Sequence, residues 1–319
     1  MKKSIAFIII AGALLTPIAG QSYGGESKTN SVVKHTRIAD VIYARKHGVA
    51  LTMDVIKPAK QNGAAVIWVI SSGFYSNHAW CEGEQFIQKM KVLLDRGYTV
   101  FAVVHGSVPR FTVPEYYSDI RRGIRFIRHN AGIYGIDPNR IGMGGASAGG
   151  IISLMMGATP MDGNEKALDP VERESTRLQA IGCFYPASNL YRFYDNGESA
   201  IPVATRHGHL GAYKFCDFDP KDKVYVPITD EKRIHELLVE YSPITHVTAG
   251  DSPTLIVHGD KDAIVPMFHA SKMIDMLKDN GVKAELVVAK DKGHGWADMW
   301  ANEMKHIAGW FDTHLAVNK

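Results

Sequence analysis

Residues able to do nucleophilic chemistry gather at three places in this 319-residue chain. The first is Gly145-Ala-Ser-Ala-Gly149, which fits the pattern G-x-S-x-G. That pattern suits a sharp turn from strand to helix, projecting the serine oxygen above a sheet while small neighbours allow close backbone packing. The alternative is a Gly-rich turn around a buried serine. Context favours the functional reading, because residues 140–144 read as a strand and a helical stretch opens through Ile151, Leu154 and Met155. A serine hydroxyl is a weak nucleophile and needs a base that is itself oriented by a third group. Both are on offer downstream. Asp260 and Asp262 follow an apolar strand ending at His258, and His294, flanked by glycines, follows another ending near Ala289.

The spacing of these groups implies the elements that hold them. Residues 65–71 (AVIWVIS), 99–104, 140–144, 180–185, 254–258 and 284–289 are short apolar runs, expected as strands buried on both faces of a parallel sheet. Residues 84–95, 118–130, 268–279 and 299–314 carry helical spacing, which gives a doubly wound α/β arrangement. Residues 40–57, with His47-Gly48 between alternating stretches, read as a leading antiparallel hairpin. The interval from Asp262 to His294 leaves room for one helix and one strand, as adjacent parallel units require. Ser147, the acid and His294 therefore fall at one edge of the sheet, where open α/β sheets place their sites. Spacing alone leaves Asp260 and Asp262 as alternatives for the acid. His258, inside an apolar strand, is expected in the core or behind the site, and His269 belongs to a helix.

Composition closes off other classes. With 45% hydrophobic and 22% charged residues the chain has the make-up of a globular protein. A formal net charge of +3, partly from Lys2 and Lys3, offers no basic surface for nucleic acid. Gly142-x-Gly144 also follows a strand, but Ser147 stands where a dinucleotide loop needs its third glycine. Met1-Lys2-Lys3 ahead of the apolar stretch from Ile5 to Ile18, with Gly20, Ser22 and Gly24 beyond, reads as an export signal spanning 1–24. The apolar run is short for a membrane span and contains Pro17. The expectation is a secreted or periplasmic protein with no membrane anchor after cleavage. Cys81, Cys183 and Cys216 are too few for a disulfide scaffold.

Residues 159–248 break the strand–helix rhythm, and 196–240 are aromatic-rich and irregular. A long irregular insertion in a compact domain is usually a binding loop or a cap over a site. His207-x-His209 within it has metal-pair spacing but no clear third ligand, so no metal is expected. Asp119, with Arg121 and Arg122, reads as a helix start with solvated charge.

Taken together, Gly-Ala-Ser-Ala-Gly-Gly150, His258-Gly-Asp-Lys-Asp-Ala-Ile-Val-Pro266 and Gly293-His-Gly-Trp296 resemble the α/β-hydrolase superfamily. The likeness is to its secreted esterase and prolyl-oligopeptidase-like branch, which includes acetyl xylan and feruloyl esterases. Asp137-Pro-Asn-Arg-Ile-Gly142 and Tyr241-Ser-Pro-Ile244 match that branch too, and the likeness runs from about Val41 to Phe311. It implies one α/β-hydrolase catalytic domain over 35–317 with a cap at about 196–240. It also implies a triad of Ser147, Asp262 and His294, because Asp262 occupies the acid position of the family pattern. Many relatives carry His-Gly-Gly-Gly after the third strand, whereas this chain has Ile70-Ser71-Ser72-Gly73-Phe74. The expected oxyanion donors are the backbone N–H groups of Ala148 and Gly73, with Ser72 or Phe74 as alternatives. His78, Trp80 and His105 follow these loops as candidates to line the pocket. The implied activity is a serine esterase without cofactor, acting on small-molecule or oligosaccharide esters. A prolyl-oligopeptidase-type peptidase and a non-catalytic binding module are the alternatives.

Overall fold

The computed structural model describes residues 34–317, so the expected export signal lies outside the described residues. The elements run β1 (His35–Lys46), β2 (Val49–Pro58), β3 (Ala65–Ile70), α1 (Gly83–Asp95), β4 (Thr99–Val104), α2 (Val113–His129), α3 (Ala131–Tyr134), β5 (Ile141–Ala146) and α4 (Ala148–Ala158). They continue with β6 (Ala180–Phe184), α5 (Ala200–Arg206), β7 (Cys216–Asp219), β8 (Val224–Pro227), α6 (Glu231–Glu240) and β9 (Thr254–Gly259). The chain closes with α7 (Phe268–Asp279), β10 (Ala284–Ala289), α8 (Met299–Asn302) and α9 (Met304–His314).

Eight strands form one sheet in the order β1-β2-β4-β3-β5-β6-β9-β10. From β4 to β10 neighbouring strands are parallel, while β1 and β2 add an antiparallel edge. The apolar runs explain the layering. In β3 every side chain is buried, and the period of two sends Ala65, Ile67 and Val69 to one face and Val66, Trp68 and Ile70 to the other. The first face packs on α2, α4 and α7, through residues such as Ile124, Ile152 and Met273. The second packs on α1 and α9, through Met90, Leu93 and Ile307.

Several expected boundaries move, each for a local reason. The helix expected at 118–130 begins at Val113, where Thr112 and Glu115 form a reciprocal capping box and Pro114 fits the first turn. Asp119 is therefore inside a helix, and it is buried rather than solvated: its carboxylate accepts from Gly106 N at 2.8 Å and from Lys46 Nζ at 2.5 Å. The helix expected over 299–314 is interrupted at Glu303. The segment expected to be irregular holds α5, α6 and the β7–β8 hairpin, which pairs with itself and not with the main sheet. The three cysteines are free thiols, Cys81 and Cys183 buried and Cys216 exposed.

Candidate active site

The turn from β5 into α4 carries Ser147 in a backbone conformation rare for a residue with a side chain, φ 52° and ψ −118°. The flanking glycines are steric requirements. A Cβ on Gly145 would stand 2.6 Å from the Gly149 carbonyl carbon, and one on Gly149 would stand 2.9 Å from the Val69 carbonyl oxygen. The turn is pinned by hydrogen bonds from Ser147 N–H to Phe184 O and from Ile151 N–H to Ser147 O, both 3.0 Å.

Asp262 and His294 enter from the loops after β9 and β10, which lie side by side in parallel register. His294 Nε2 is 2.9 Å from Ser147 Oγ, and His294 Nδ1 is 2.7 Å from Asp262 Oδ2. Asp262 Oδ1 accepts from the backbone N–H groups of Ile264 and Val265, each at 2.9 Å. His258 Nε2 lies 2.8 Å from Val265 O and 3.3 Å from Asp262 Oδ2, so this buried strand-end histidine backs the carboxylate, as its place in an apolar strand suggested. Burial opposes the charge on Asp262, but the hydrogen bonds from His258 and His294 outweigh it and hold the carboxyl well below the usual range. Asp260 is turned away, accepting from Asp291 N–H at 2.6 Å.

The loop after β3 meets Ser147 from the other side. Gly73 and Phe74 both have positive φ, 53° and 64°. Ser72 N–H donates to Tyr75 O at 2.9 Å and is therefore spent, which removes Ser72 from the alternatives for an oxyanion donor. Phe74 is buried, its ring stacked at 5.5 Å on Tyr116 and met edge-on at 5.9 Å by Tyr213 of the 196–240 segment. From the same segment, the His209 ring sits against Gly73: Nδ1 is 3.3 Å from where a Cβ there would stand. Tyr75 Oη also donates to Gly208 O at 3.3 Å. Burial lowers the pKa of His209.

A cleft of about 510 Å³ opens beside Ser147 and His294. Its walls are largely aromatic, with Trp68, Trp80, Trp300 and Tyr185 among them. The Tyr185 ring centroid is 4.5 Å from that of His294. Of the pocket candidates, Trp80 lines the cleft and two histidines do not. His105 is buried behind it, Nδ1 donating to Gly106 O at 2.5 Å and the ring 4.7 Å from Tyr116; burial pushes its pKa down to about 4, so it stays neutral. His78 is drawn off by acids. Its Nε2 donates to Asp54 at 2.8 Å and its Nδ1 to Glu82 at 2.9 Å. Although burial opposes protonation, Asp54, Asp40 and Glu82 raise the His78 pKa.

The ligating atoms of Asp54, His78 and Cys81 lie within 4.8 Å of one another. Asp54 is already satisfied there by Arg37 Nε at 2.5 Å and Asp40 N–H at 3.0 Å, so a cation would have to face the Arg37 guanidinium. The cluster acts as a latch between the β1–β2 edge and the loop before α1. Sequence reasoning missed Trp68, Tyr185, Trp300 and Lys89 as cleft residues. They are spread over β3, the end of β6, α8 and α1, and no local motif links them.

The BD-FAE family model matches residues 53–277. The probable carboxylic ester hydrolase LipM of Mycobacterium tuberculosis is 27% identical over 270 residues, covering 80% of this chain and 56% of LipM. The chain thus spans about half the length of the curated relatives it matches. A truncated form of a carbohydrate esterase from gut microbiota superposes with a TM-score of 0.70 at 22% identity, covering 89% of this chain and 98% of that one. An acetyl ester-xyloside bifunctional hydrolase from Caldicellulosiruptor lactoaceticus gives 0.63 at 23% identity, covering 89% and 95%. At such identities the structural likeness is one of fold, and it is the α/β-hydrolase fold expected from the motifs. With the family model covering most of the chain, including the G-x-S-x-G elbow and the Asp262 loop, the chain belongs to the BD-FAE family of α/β hydrolases.

Proposed function

We propose that the chain is a serine carboxylic-ester hydrolase acting on acetylated or feruloylated esters derived from polysaccharides. The observation that carries this reading is the continuous hydrogen-bonded path from Ser147 Oγ through His294 to Asp262, set at a strained elbow. His294 Nε2 takes the hydroxyl proton as Oγ attacks the ester carbonyl. Asp262 on Nδ1 fixes the imidazole tautomer and stabilises the imidazolium that forms. The Ala148 N–H, at the start of α4, and that of Gly73 or Phe74 hold the tetrahedral oxyanion; one such donor is typically worth about 3 kcal/mol. His294 then protonates the leaving alcohol, leaving an acyl group on Ser147. Water activated by the same histidine releases the acid.

These steps need no cofactor. Family membership and the likeness to LipM, a probable carboxylic ester hydrolase, support ester chemistry, and the carbohydrate esterase among the structural neighbours supports a saccharide ester. The aromatic cleft suits a planar acyl group or a sugar ring. In this reading residues 196–240 form a cap that braces the oxyanion loop through Tyr213 and His209, and the basic-then-apolar N-terminus directs export. Among the described residues no helix is long and apolar enough to cross a membrane.

A panel of acetyl, feruloyl and dipeptidyl reporter substrates tests the proposal. Turnover of acetyl or feruloyl esters that requires Ser147 supports it, and cleavage of the dipeptidyl reporter alone would replace it with a peptidase.

A further inference from the structure

Apart from the base His294, one side chain lining the active-site cleft is charged, and among the described residues no acid lines the cleft with it. Lys89 lines the cleft with Ser147, His294 and the tryptophans. On α1 its neighbours three and four residues away are Gln85, Phe86, Val92 and Leu93, so the helix offers no acid in pairing register. The acids on α1 and just before it are engaged elsewhere, Glu82 by His78 at 2.9 Å, Glu84 by Gln88 at 2.5 Å and Asp95 by Lys91 at 2.7 Å, and Glu303 at the end of α8 accepts from Trp296 Nε1 at 3.0 Å. Among the described residues Lys89 makes no ion pair. Its ammonium instead lies 5.7 Å from the Trp300 ring centroid, a cation–π contact that steadies the chain at the cleft wall. Phe86, one turn earlier, is buried and supports the same wall.

A cation held over an aromatic wall, in the same cleft as the serine, gains most from an anion brought in by the ligand, because a partly enclosed site screens that attraction less than open water does. We infer that Lys89 is a specificity-determining residue that selects esters bearing a carboxylate, on the acyl chain or on the sugar. This rests on the esterase reading. The carboxylate remains intact throughout and only pairs with the ammonium, so the hydrolytic steps are unchanged.

Two matched pairs of substrates test the inference and separate the sources of the carboxylate. For the acyl side the pair is p-nitrophenyl hemisuccinate against p-nitrophenyl butyrate. For the sugar side it is an O-acetyl glucuronide against the matching O-acetyl glucoside. The readout is the ratio of kcat/KM for the anionic member to that for the neutral one, in wild type, Lys89→Met and Lys89→Glu, at low and high salt. Partial misfolding lowers both members alike and leaves the ratio untouched. The expected result is a ratio at least tenfold lower in Lys89→Met and lower still in Lys89→Glu, in at least one pair, with salt eroding the wild-type ratio. Unchanged ratios in both pairs, with the neutral esters still hydrolysed, overturn this inference alone. An absence of Ser147-dependent hydrolysis from every ester overturns the esterase reading and this inference with it.

Discussion

Asp262 takes hydrogen bonds on both carboxylate oxygens, from two backbone amides on one and from His294 and His258 on the other. The role proposed for it, holding the His294 tautomer, predicts that Asp262→Asn lowers kcat by about 10,000-fold on a simple ester, since the amide favours the wrong tautomer. The same carboxyl also links folding to pH. Because its folded pKa is depressed, its contribution to stability is complete above the unfolded value of about 3.9 and is lost as pH falls through the folded one. Wild-type stability should therefore drop between pH 5 and pH 3, and Asp262→Asn should show a shallower slope, measured by urea unfolding at both. Much at this scale was legible in advance. Ser147 and His294 stood in patterns whose glycines announced tight loops, while Asp262 was separated from Asp260 only by family likeness. His78 and His105, candidates for the pocket, do not line the cleft, because adjacency in sequence to a loop says nothing of which acid or carbonyl a ring will find in space.

The elements whose limits were readable are those with one dominant signal. The strands β4 and β10 and the helix α7 fall where apolar runs and helical spacing placed them: β4 is buried on both faces and α7 along one stripe, while β10, a half-exposed edge strand, shows in its Val287-Val288 run. The 196–240 segment was opaque because its hairpin is exposed and its helices are short, so neither period is sustained. At the elbow the element is defined by close approach, and that is testable. Gly145→Ala places a Cβ 2.6 Å from backbone of the next turn, and should cost at least about 2 kcal/mol because backbone on both sides must shift. Gly48→Ala, in the β1–β2 turn, meets no atom within 4 Å but must adopt φ 76°, a cost of about 1 kcal/mol. Shifts in the urea midpoint at constant m-value distinguish the two.

Across the whole molecule, the parallel sheet turns a long sequence separation into contact. Ser147, Asp262 and His294 leave β5, β9 and β10 at the same edge, as chain order and the strand–helix alternation imply. What only the folded chain reveals is how distant segments meet around the site. Tyr213 and His209 seat against Phe74 and Gly73, and aromatic side chains from β3, α1, α8 and the loops before α1 and after β6 line one cleft. Such assemblies depend on tertiary packing and leave no period or motif behind. In the proposed mechanism this assembly makes Ser147 a nucleophile. The most direct test is hydrolysis of p-nitrophenyl acetate by the wild type beside Ser147→Ala, with equal unfolding midpoints confirming that both are folded. The wild type should release p-nitrophenol, and the variant should lose about 10,000-fold or more of that rate. Equal rates in the two proteins, or none in the wild type, would contradict that mechanism.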